Sequence, residues 1–148
     1  MKLEWMGRHR SLVEAHIKSA NRYAQRYHVR WFRFEDVSLS SAQIQVMEYI
    51  LEVEHSNMSE LAERLGITRS ALTKHVQALE SFALVEKEHP KENAKSYTLR
   101  VTEKGLRAYQ AYSEEIQTRL FAPIFSELDE MSDEDLERLQ RVYDLINR

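Results

Sequence analysis

The chain has 148 residues, 43% hydrophobic and 30% charged, a balance that suits one modest globular domain with a single core. Cysteine is absent, which excludes disulfides, a thiolate redox switch and the softest of the zinc ligands. The net charge of -3 does not exclude an anionic partner, because residues 1–58 carry 8 basic and 7 acidic side chains, residues 59–105 again 8 and 7, and residues 106–148 carry 5 and 10, so the acidity is C-terminal.

Residues 8–34 read as a long amphipathic helix, with Leu12, Ala15, Ile17, Ala20, Tyr23, Ala24 and Tyr27 supplying apolar faces. Lys18, Arg22, Arg26 and Arg30 recur every four residues along its flank. Such a row is a solvated or salt-bridged face, or less favourably a phosphate-contacting ridge. Ser40 then offers a hydroxyl cap to a helix that turns Ile44, Met47 and Ile50 inward.

The run MSELAERLGITRSALTKHVQALE, from Met58, reads as two short helices joined at Leu65-Gly66-Ile67. Leu61, Ala62, Leu65, Ile67, Leu72, Val76 and Leu79 stand where crossing helices need apolar or small side chains. Ser59 and Thr68 are placed as hydroxyl caps, and Gly66 stands where the chain needs a positive φ. This leaves Thr68, Arg69, Ser70, Thr73, Lys74 and Gln77 on an open face rich in donors, of the kind that reads base edges and phosphates in a major groove.

The later part of SFALVEKE resembles a strand, a polar loop of His89 to Lys95 follows, and Ser96-Tyr97-Thr98-Leu99-Arg100-Val101 alternates as a half-buried strand does. After a helix-turn-helix, two strands around a basic-tipped loop make a wing that reaches a neighbouring groove or the phosphate backbone. A fifth helix opens at Thr102 with Leu106, Tyr109, Tyr112, Ile116 and Leu120, and Pro123 should kink or interrupt it. Ser132 and the acidic Asp133, Glu134 and Asp135 open a last helix whose Leu136, Leu139, Val142, Tyr143 and Ile146 form one apolar stripe. The stripe needs a partner: the first helix and its counterpart in a second subunit, or else its own domain.

The segment SELAERLGITRSALTKHVQALE, then LVEKE, a charged loop and LRVTEKG resembles the multiple-antibiotic-resistance regulator (MarR) family of bacterial transcription factors, over roughly residues 40–105. The resemblance implies a mainly α fold with a small β-hairpin wing (α+β), a winged helix-turn-helix held by N- and C-terminal dimerisation helices. On that basis the expectation is a single MarR-type domain over 1–148, with dimerisation helices at about 8–36 and 103–148 and a DNA-binding head at about 40–102. It also implies a homodimer on double-stranded DNA with a pseudo-palindromic operator, usually released by a small ligand.

Three features depart from the family pattern. The family wing usually carries an Asp and an Arg two residues apart, and Asn93 and Lys95 stand there. Asn cannot pair ionically with Lys, and Lys lacks the planar fork that suits a narrow minor groove, so weaker or less selective contacts by Lys91, Asn93 and Lys95 are expected. Ala83 replaces the usual Gly after the recognition helix, at a cost on the order of 1 kcal/mol if the backbone there is left-handed. His75 lies toward the inner side of that helix, where a partly buried, neutral, hydrogen-bonded imidazole is expected.

Tyr23, Tyr27, Trp31, Phe32, Tyr109 and Tyr112 are placed either as plain core or as the lining of a cleft for an amphipathic or aromatic effector, with His28 or Arg30 as a polar anchor. The six histidines are scattered without the spacing that puts two ligands on one helical face, so no metal and no cofactor is expected. The chain has no Gly-x-Ser-x-Gly turn, no His-Glu-x-x-His pair and no phosphate-binding glycine loop, so no enzyme is expected. No apolar run reaches membrane-spanning length and no apolar leader is seen, which points to a cytoplasmic protein with no membrane partner. The reading is a sequence-specific transcriptional regulator, most readily a ligand-responsive repressor. The alternative, a winged-helix protein-interaction module without DNA sequence specificity, fits less well, because the donor face lacks the aromatic or aliphatic anchor of a docking surface.

Overall fold

The structure, a computed structural model, describes residues 3–53, 57–89 and 96–148, so Lys91, Asn93 and Lys95 of the expected wing lie outside the described residues. The chain forms two compact units, Met1–Tyr109 and Gln110–Arg148, with the boundary inside one helix.

In the first unit a 3₁₀ stretch (Leu3–His9) leads into helix α1 (Arg10–Arg26), which buries none of its side chains within the chain. The helix expected over 8–34 therefore ends early. The chain turns at Tyr27, whose carbonyl accepts the Ala42 N–H at 3.1 Å, and becomes strand β1 (Arg30–Phe34), paired antiparallel with β2 (Val37–Ser40). Val29, Trp31, Phe32 and Phe34 are β-branched or aromatic and fit a pleated surface, which outweighs the helical spacing of the residues before them. Phe32 enters the core at 3% exposure, and Arg30 leaves the expected basic row to lie with its guanidinium 5.7 Å from the Phe82 ring centroid. The hairpin turn is Glu35-Asp36. Its carboxylates meet Arg107 at 3.4 Å and Lys104 at 3.1 Å, fastening the hairpin to the helix at the far end of the unit.

Ser40 opens α2 (Ser41–Glu52) with a capping box, its hydroxyl accepting the Gln43 N–H while the Gln43 side chain accepts the Ser40 N–H. Ile44, Met47 and Ile50 are buried, as their spacing predicts. Next come α3 (Met58–Leu65), α4 (Arg69–Ser81) and the antiparallel pair β3 (Val85–Glu88) and β4 (Thr98–Val101), in register Val85↔Val101 to Glu88↔Thr98. The buried apolar residues run from Phe32 to Ala108, so the described core belongs to the helix-turn-helix and its two hairpins.

Helix α5 (Glu103–Ile116) crosses the unit boundary, and the Thr102 hydroxyl accepts the Gly105 N–H at 3.1 Å to cap it. In the second unit, a π-helical turn (Gln117–Phe121) precedes α6 (Ala122–Asp129), which carries Pro123 in its first turn. Pro123 has no N–H to give the preceding turn and its ring crowds the carbonyl four residues back, so the helix widens there, the interruption its position predicts. Helix α7 (Asp133–Ile146) is capped by Ser132, whose hydroxyl accepts the Asp135 N–H at 3.2 Å. Its stripe of Leu136, Leu139, Val142, Tyr143 and Ile146 is exposed along its whole length. No described helix is long and apolar enough to cross a membrane.

Candidate nucleic-acid interface

The hinge between α3 and α4 is a Schellman turn. Gly66 adopts φ 66°, its N–H donates to the Glu63 carbonyl at 3.1 Å, and the Ile67 N–H donates to the Ala62 carbonyl at 3.1 Å. Thr68 caps α4, its hydroxyl accepting the Ala71 N–H at 3.1 Å, as expected. Ser59 is not the cap of α3. Asn57 is, with its side-chain oxygen accepting the Glu60 N–H at 2.9 Å and the Glu60 carboxylate accepting the Asn57 N–H at 3.5 Å. An Asx side chain one residue before the first helical position outranks a serine already inside the first turn.

Leu72, Val76 and Leu79 seat α4 in the core. On its other side Thr68, Arg69, Ser70, Lys74 and Gln77 are exposed and Thr73 is half-buried. The Thr73 hydroxyl donates to the Arg69 carbonyl at 2.9 Å, which commits its proton within the helix. The charges around this face are distributed unevenly. Arg64 pairs with Glu52 and lies over the Tyr49 ring, Lys87 pairs with Glu80, Arg100 is held by both Glu86 and Glu88, Lys104 by Asp36 and Arg107 by Glu35. Among the described residues from 57 to 109, Arg69 and Lys74 are the cations with no carboxylate partner, and both stand on the open face of α4. Neither the pairing of the others nor this exception is readable from spacing, since the acids come from distant segments.

The described wing strands are electrostatically closed. Arg100 on β4 spans two carboxylates of β3, and Lys87 lies 4.7 Å from the Tyr97 ring centroid. The Lys104 ammonium also bonds Asp36, holding that carboxyl below its ordinary range.

His75, on the flank of α4, is half-buried and stacks on His28 with ring centroids 5.9 Å apart and planes within 10°. Burial, and then the neighbouring imidazole, push the His75 pKa below the ordinary histidine value. The part-buried ring, with its pKa lowered, is as expected, while the contact described for it is a stack on a second imidazole in place of the expected hydrogen bond.

The expected effector residues are brought together in part. Tyr23 and Tyr27 lie 5.1 Å apart, Tyr27 also meets His28 edge-on at 5.0 Å, and its hydroxyl donates to the Gln45 side chain. The Tyr109 hydroxyl donates to Glu48 at 2.7 Å. Burial, then Tyr49, then Glu48 raise the Tyr23 pKa; burial, then Tyr23, then Tyr49 raise that of Tyr27. Gln45, Glu48 and Tyr49 of α2 thus belong to this cluster, a polar helical face that the search for aromatics alone overlooks. Trp31 sits on β1, its indole N–H donating to the Ser41 hydroxyl at 2.9 Å, and Phe32 is core. Tyr112 belongs to the second unit. Among the described residues no three His, Asp or Glu side chains gather as a metal-binding group.

The model of the winged helix DNA-binding domain family matches residues 43–120, more than half of the chain. No curated protein matches. Among solved structures, the adhesin competence repressor AdcR of Streptococcus pyogenes is 16% identical over 99% of this chain and 96% of its own, with a TM-score of 0.68. FabT of Streptococcus pneumoniae, in complex with DNA, is 17% identical over 93% and 96%, with a TM-score of 0.67. Lactococcus lactis ZitR, also in complex with DNA, is 19% identical over 99% and 97%, with a TM-score of 0.66, and is elsewhere described as a zinc-responsive MarR family member.

Proposed function

The chain belongs to the winged helix DNA-binding domain family and has the fold of the MarR regulators, and from that premise we propose that it is a homodimeric transcriptional repressor that reads a pseudo-palindromic operator and is released by a small amphipathic or aromatic molecule. The observation that carries the reading is the pair of unneutralised cations, Arg69 and Lys74, on the exposed face of α4. A cation already paired with a carboxylate must lose that partner before it binds phosphate or a guanine edge; Arg69 and Lys74 need not.

In this mechanism each subunit lays α4 in a major groove. Arg69, Ser70 and Gln77 meet base edges, and Thr68, Thr73 and Lys74 meet the adjoining backbone. Lys91, Asn93 and Lys95 of each wing lie near flanking phosphates. The two heads of a dimer engage half-sites about one helical turn apart, and blocking polymerase follows from occupying the site. The dimer reading is supported by the exposed stripe of α7 and by the absence of any buried side chain on α1 within one chain. Tyr23, Tyr27, Trp31 and Tyr109 of the first unit are the proposed effector residues. The phenols gathered near Glu48 support a ligand with an aromatic ring and a hydrogen-bonding group. A regulator of this kind works in the cytoplasm.

Substituting Arg69→Ala tests the central residue. If Arg69 reads a guanine, the variant loses about 1–3 kcal/mol on the preferred duplex and relaxes selectivity at that base pair. Fluorescence anisotropy on the preferred duplex and single-base variants reads the change. An unchanged order of preference would contradict the assignment.

A further inference from the structure

The hydroxyl of Ser59 does not cap α3, because Asn57 and Glu60 form the capping box at that end. It points instead across the hinge, where it accepts a hydrogen bond from Nη1 of Arg69 at 3.4 Å. Arg69 is the first residue of α4, and its carbonyl is tied to the Thr73 hydroxyl at 2.9 Å. The guanidinium is thus guided at its tip while its own backbone is fixed one turn in.

The chemistry of this partner matters. A carboxylate at position 59 would orient Arg69 but also neutralise it, and breaking that pair would subtract from DNA binding. A hydroxyl accepts one N–H and leaves the charge and the remaining donors free. Among the described residues from 57 to 109 the other arginines are held by glutamates: Arg64 by Glu52, Arg100 by Glu86 and Glu88, and Arg107 by Glu35. Of these four, Arg69 is the one oriented without being neutralised. A long side chain that must place a bidentate fork on a base edge loses rotamer entropy on binding, and a preset rotamer lowers that loss.

We infer that Ser59 is a positioning residue for sequence reading, acting from α3 through Arg69 to sharpen discrimination at the base pair Arg69 meets. The inference rests on the proposed reading of DNA by α4 and deepens it. Ser59 is charged with no contact of its own to a base.

The test compares wild type, Ser59→Ala, Ser59→Thr, Arg69→Ala and the double variant Ser59→Ala with Arg69→Ala, each as the full chain. Duplexes selected by the wild type, their single-base variants and random duplex are titrated by anisotropy, and thermal melting is followed in parallel. The expected result is a loss of about 3- to 10-fold in discrimination at one base pair per half-site for Ser59→Ala, the scale of one net hydrogen bond. Random-duplex affinity and melting stay as in wild type, Ser59→Thr restores discrimination, and Ser59→Ala adds nothing once Arg69 is alanine. Two results overturn the positioning role alone: unchanged discrimination in Ser59→Ala, or a uniform loss on every duplex that adds to that of Arg69→Ala, which makes Ser59 a phosphate contact. A wild type with no preferred duplex overturns the reading by α4 itself, and the positioning role with it.

Discussion

A Cβ at position 105 would lie 2.2 Å from the Leu84 carbonyl oxygen and 2.6 Å from Val101 Cγ1. That carbonyl is fixed, since it accepts the Thr102 N–H at 3.0 Å where β4 passes into α5. Relief must come from the backbone, so Gly105→Ala is expected to destabilise the head by about 1–3 kcal/mol. Ala83 presents the opposite case. It adopts φ 59°, and the amides of Ala83 and Leu84 donate back to Glu80 and Leu79 at 2.9 Å each, a left-handed helix end built on a residue with a Cβ. Ala83→Gly should therefore raise stability, by up to about 1 kcal/mol. Urea unfolding of the two variants reads both effects; a lower midpoint for Ala83→Gly would mean that no strain is stored there. Ala83 was legible through the family resemblance, which implies a Gly at that helix end. The crowding at Gly105 was not, because the obstructing carbonyl belongs to Leu84, just before β3 and far from Gly105 along the chain.

Helix α4 carries its apolar seat within its own thirteen residues, with its cap, Thr68, immediately before them and its open face running from that cap, which is why each was readable from spacing. The β1–β2 hairpin was not, because Trp31, Phe32 and Phe34 also continue the apolar spacing of α1, and the deciding facts are tertiary: Phe32 entering the core and Lys104 and Arg107 reaching Asp36 and Glu35. Likewise Ser59 looked like a cap until Asn57 was seen to occupy that role. His75 links α4 to the segment after α1 through its stack on His28, and this gives the element a pH dependence. Its folded pKa lies below the unfolded value, so the unfolded chain takes up the proton first as pH falls. The stability this histidine contributes is complete above about pH 6.5, the ordinary histidine value, and is lost as pH falls through the lower, folded pKa. Urea midpoints across that range should fall toward acid in wild type and fall less steeply in His75→Gln. Parallel slopes in the two proteins would place the acid sensitivity elsewhere.

For the molecule as a whole, the described core is confined to residues 32–108, while α1 and α7 bury nothing within one chain. In the proposed homodimer the apolar stripes of the terminal helices form the interface, and a charge within one of them should prevent its formation. Leu139→Glu is expected to sediment as a monomer with the helix content of the head retained, and to lose affinity for a two-half-site operator far more than for a single half-site. A variant that remains dimeric would move the interface away from α7. The most direct measurement of the central claim is selection of duplexes from a randomised pool by the wild-type protein, followed by anisotropy of the winner at two salt concentrations. The account predicts a pseudo-palindromic winner with half-sites about one helical turn apart, bound well above random duplex and retaining much of that preference as salt rises. No enrichment, with only weak and salt-sensitive binding, would contradict it and point to a face that docks a protein rather than reading DNA.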